Sequence, residues 1–166
     1  MAQVNFLFDD DGRVISGANG NTTSAITAGD LLYASPPSTS PFGTTVPSGV
    51  DYDEVEVEPV KHATAVQKTT GGRIVGVALA DSPKSTTTLS RVPFATEGLF
   101  LSPVGDTTGF IAAGQEIRAF EGTTTAGVTN CGTTTGPTAK ERQLKCGIAL
   151  TAANTDGHYI LWKYSR

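Results

Sequence analysis

The sequence predicts a mainly β fold: a compact β-barrel or β-sandwich-like domain with an internal pseudo-repeat, long loops rich in Thr, Gly and Pro, and at most one short helix. Three observations carry this. Thr contributes 25 of the 166 residues, Gly 19 and Pro nine, and β-branched Thr suits strands while Gly and Pro punctuate turns. Charged residues are only 17%, so the Glu, Lys and Arg of long helices are scarce. Several runs alternate apolar and polar residues with the period of two that a half-buried strand requires. A chain of this length buries one continuous core, so residues 1–166 are expected to form a single β-rich domain, with 1–12 as a candidate arm.

The elements follow in order. In QVNFLF, Val4, Phe6 and Phe8 share one face, and Asp9 to Gly12 (DDDG) then supply turn chemistry before Val14 and Ile15, the pattern of a hairpin start. DEVEVEPV sets Val55 and Val57 against Glu54, Glu56 and Glu58, a strand with one wet face. Gly72 to Ala80 (GRIVGVALA) is nearly continuous in small and aliphatic residues, as in a buried strand. In HYILWKY, His158, Ile160, Trp162 and Tyr164 face one way and Tyr159, Leu161 and Lys163 the other, a strand expected to close the sheet at the C-terminus. Thr138 to Cys146 (TAKERQLKC) is the one helix candidate, at hardly more than two turns. Ser35 to Gly49 and Glu121 to Ala139 are expected to be long loops.

A phrase is written twice. AITAGDLLY (Ala25 to Tyr33) and FIAAGQEIRAF (Phe110 to Phe120) share an aliphatic residue, Ala-Gly or Ala-Ala-Gly, a polar residue and another aliphatic run. GVALADSPKS (Gly76 to Ser85) follows the first and GIALTAANTDG (Gly147 to Gly157) the second. The first phrases are offset by 85 residues (Gly29 to Gly114) and the second by 71 (Gly76 to Gly147), so the intervening loop is 14 residues shorter in the second copy. Pseudo-repeat halves of about 22–102 and 103–166 follow. Gly29 and Gly114 are expected in turns with φ > 0, and Gly76 and Gly147 where strands approach closely. These are structural glycines and name no chemistry.

ITAGDLLY, then GGRIVGVALADS, then VPFATEGLFL resembles the capsid decoration, or head cement, proteins of tailed phages, in which an xAGDxVY turn phrase precedes a strand and GVALxDA follows a variable loop. The resemblance covers about Ala25 to Leu101, and more weakly the second copy. It implies a small β-rich virion protein, often a homotrimer, that docks on the outer surface of an icosahedral bacteriophage capsid and staples neighbouring major capsid protein subunits. The expected partner is therefore the major capsid protein, the location the outside of the virion after synthesis in the host cytoplasm. The capsid-contact candidates are Val4, Phe6 and Phe8, as an added strand, and Phe42 in the long loop.

Motifs of catalysis are absent. The chain has no G-x-S-x-G elbow, no phosphate loop and no H-E-x-x-H, and GGRIVG has the wrong spacing for a dinucleotide fingerprint. A non-enzymatic role without cofactors is expected. His62 and His158 with Cys131 and Cys146 do not make a zinc tetrad, because the cysteines lie fifteen positions apart with no His beside either. The thiols read as ordinary, with a disulfide the lesser alternative. Asp51 to Glu58 reads as a solvated strand face, with a cation site or a docking face for basic residues as alternatives. Net charge is −4 with no basic stripe, which argues against nucleic acid, and no run approaches a membrane span. The rival reading is a head-fibre or spike module that binds a host-surface glycan, with Trp162, Tyr164 and Tyr159 as its candidate aromatics.

Overall fold

The computed structural model describes residues 14–20, 25–34, 56–60, 74–84, 90–105, 110–120, 127–131, 144–155 and 157–164. They form ten strands: β1 (Val14–Asn19), β2 (Leu31–Ala34), β3 (Glu56–Pro59), β4 (Ile74–Ala78), β5 (Arg91–Ala95), β6 (Leu99–Pro103), β7 (Glu116–Ala119), β8 (Val128–Asn130), β9 (Lys145–Ala149) and β10 (Tyr159–Tyr164). The fold is mainly β, and among the described residues no helix forms. The candidate Val4/Phe6/Phe8 strand, the Asp9–Gly12 turn, the Ser35–Gly49 loop with Phe42, the acidic residues 51–55 and His62 lie outside the described residues.

The first five strands close into a barrel in the order β1-β3-β2-β4-β5. Closure depends on β1, which pairs antiparallel with β5 along its length and parallel with β3 at Ala18–Glu56 and Asn19–Val57. The other five form a sheet in the order β6-β10-β9-β7-β8, curled until its outer strands meet at one parallel bridge, Val104–Val128. Started at β3 and at β8, the two orders are the same circuit.

The registers repeat as well. Leu32 faces Gly76 and Ile117 faces Gly147; the ladder slips after Leu32 and again after Ile117. Val14–Ala95 through Ala18–Arg91 recur as Leu99–Lys163 through Pro103–Tyr159, so β1 maps to β6 at an offset of 85 and β5 to β10 at 68. The parallel pair Asn19–Val57 recurs as the bridge Val104–Val128, and Ile26–Ser82 as Ile111–Ala153. β6 is thus the counterpart of β1, as β10 is of β5.

Inside the first barrel, Ile26, Leu32, Val57, Ala78, Val92 and Phe94 form a cluster. Their counterparts Ile111, Ile117, Val128, Ala149, Ile160 and Trp162 fill the second circuit, within a larger cluster that also takes in Leu31, Tyr33, Ile74, Val77 and Ala95 from the first. The Tyr164 hydroxyl donates to the Ile74 carbonyl at 2.9 Å and ties the halves together. Trp162 is fully buried, and its indole N–H is satisfied by Ser102 Oγ at 3.0 Å, as a buried indole requires.

Two expectations are corrected. The helix candidate loses its end to β9: Lys145 and Cys146 are extended and pair with β7, because tertiary pairing outweighs the weak propensity of so short a helix; residues 138–143 lie outside the described residues. The Glu121–Ala139 loop contains β8, in which Val128 and Thr129 are buried, since Val and Thr suit a strand when a partner is present. β10, the C-terminal strand, lies between β6 and β9.

Candidate interaction surface

The four glycines named from the repeat occupy two equivalent settings. Gly29 has φ +92° and Gly114 φ +85°, a region that L side chains avoid. Each sits in a tight turn: the Asp30 N–H donates to Thr27 O, and the Gln115 N–H to Ala112 O. The side chain after each glycine accepts from the turn's start, Thr27 N–H to Asp30 Oδ2 at 2.8 Å and Ala112 N–H to Gln115 Oε1 at 2.9 Å. The Gly29 and Gly114 N–H groups donate across to Ala78 O and Ala149 O, at 2.8 and 2.7 Å. Gly76 and Gly147 face the last strand of each circuit, where a Cβ would overlap the Ala95 and Lys163 carbonyl oxygens. These glycines shape the circuits. The contact candidates Val4, Phe6, Phe8 and Phe42 lie outside the described residues.

The aromatic group of the glycan-binding reading does not form an exposed cluster. Trp162 and Tyr164 are buried, the Trp162 ring in tilted contact with Phe100 (centroids 5.2 Å apart) and Tyr164 (6.3 Å), and of the three Tyr159 alone is exposed. His158 is also exposed. Cys131 and Cys146 are buried and are not joined in a disulfide. Burial, and secondarily the neighbouring Cys131, pushes the Cys146 thiol well above its ordinary value, which leaves it neutral and unreactive.

The surface that does stand out is the outward row of β6 and β10. Directly paired residues share a face, so Phe100 and Ser102 with Trp162 and Ile160 point inward, while Leu99, Leu101, Pro103, Tyr159, Leu161 and Lys163 point outward. Apart from Lys163 at its end, the outward row is apolar; Tyr159 is 51% exposed, and Leu99, Leu101, Pro103 and Leu161 are half-buried. Leu150, 43% exposed, adjoins it, its N–H donating to Leu161 O at 2.8 Å. At the corresponding positions the first circuit has Val14, Ser16, Ala18, Arg91, Pro93 and Ala95, of which Val14, Ser16 and Arg91 are exposed and Ala18 and Ala95 buried.

A second face calibrates the first. Leu31, Tyr33, Ile74, Val77 and Ala95 are buried in the cluster shared with the second circuit; their counterparts are Glu116, Arg118, Lys145, Ile148 and Lys163. Glu116 and Lys163 are exposed, the others half-buried, and Lys145 pairs with Glu116. One fold position is thus apolar where covered and mostly charged where open. The half-buried leucines of the β6/β10 row depart from that pattern.

Sequence reading missed this row because Leu99 and Leu101 sit in a run, LFLSP, whose two alternating sets are both largely apolar. Extending the 85-residue offset back to Val14 and Ser16 would have exposed it. No family model and no curated protein matches the chain.

Proposed function

We propose that this chain is a structural, non-enzymatic virion protein that binds the outer surface of an icosahedral phage capsid and stabilises contacts between major capsid protein subunits. The observation that supports it most is the apolar outward row of Leu99, Leu101, Pro103 and Leu161, half-buried among the described residues, with the exposed Tyr159 beside them, where the neighbouring positions Glu116, Arg118, Lys145 and Lys163 are charged. Such a row suits a protein partner. The order of the three phrases from Ile26 to Leu101 points to the capsid as that partner. Stabilisation would come from area and avidity: a patch of about 800 Å² per partner is the standard size, and association as a homotrimer would raise the effective concentration of each contact.

Purified protein added to capsids assembled without it is expected to appear as ordered density at fixed lattice positions and to raise the temperature at which those capsids open. Capsids that stay bare at saturating protein overturn the reading, and specific capture by a glycan array in place of capsids moves it to the host-binding class. Light scattering is expected to give a trimer, or a monomer that trimerises on the capsid; a stable dimer in both settings counts against the trimer.

A further inference from the structure

We draw no further inference here: the strongest candidate, the apolar outward row of Leu99, Leu101, Leu161 and Tyr159 on β6 and β10, carries nothing beyond the reading above, because nothing in the structure shows what covers it.

Discussion

At the scale of the residue, the duplication supplies an internal control for each position. Ser82 is buried and its hydroxyl finds no partner among the described residues; its counterpart in the second circuit is Ala153. The backbone bonds from Ser82 to Ile26 do not involve the side chain. Ser82→Ala should therefore remove an unmet polar group and raise stability by about 1 kcal/mol, read as a higher denaturation midpoint with an unchanged m-value. Cys146 has Val75 as its counterpart and a thiol held neutral by burial. In the unfolded chain that thiol ionises near ~8.5, whereas in the fold it keeps its proton. Because the folded pKa is the higher, its contribution is fully present below the unfolded value and is lost as pH rises from there through the folded one. The melting temperature is expected to fall with pH above about 8.5, and Cys146→Val to flatten that fall. A slope that survives the substitution would place the titration elsewhere.

At the scale of the element, two glycines in one circuit should respond to the same substitution very differently. Gly114 has φ +85° with open space where a Cβ would go, so Gly114→Ala is charged only with the left-handed backbone, about 1–2 kcal/mol. Gly147 has ordinary backbone, but its Cβ would strike the Lys163 carbonyl and the Trp162 ring, and the strand cannot move without breaking its ladder to β10. Gly147→Ala should cost about 3 kcal/mol; equal losses in urea unfolding would refute this division of roles. Both positions were legible in the sequence, since the 85- and 71-residue offsets between phrases are the offsets at which strand partners recur. The alternation of Ile160, Trp162 and Tyr164 likewise matches their burial. What escaped were elements whose state is decided by a partner. β8 is three residues inside a Thr- and Gly-rich stretch, and β9 begins in a run of Lys, Glu and Arg that favours a helix locally. The β6/β10 row escaped for a related reason: no local pattern says which of two apolar faces points outward.

At the scale of the molecule, two copies of one circuit have diverged according to what covers them. Ile74 is buried beneath the second half, with the Tyr164 hydroxyl on its carbonyl, while Lys145, at the equivalent place, is half-exposed beside Glu116. The fold position accepts either residue, and the neighbour decides which is stable. Placing a lysine at 74 would put an unpaired charge in the shared apolar cluster, where desolvation leaves it no compensating partner. Placing an isoleucine at 145 removes only a partly screened ion pair, worth about 0–1 kcal/mol. Ile74→Lys is therefore expected to cost at least 3 kcal/mol, the range for an uncompensated buried charge, and Lys145→Ile to shift stability by less than about 1 kcal/mol. The shape of the transition carries more than its midpoint. Because one cluster spans both circuits, the unsubstituted chain should unfold in a single step, with calorimetric and van't Hoff enthalpies in agreement. Ile74→Lys attacks the seam between the halves and leaves the interior of each circuit intact, so it should split that step into two, the second circuit melting separately from the first. A single, merely lowered transition in Ile74→Lys would mean that the circuits are coupled by more than this face.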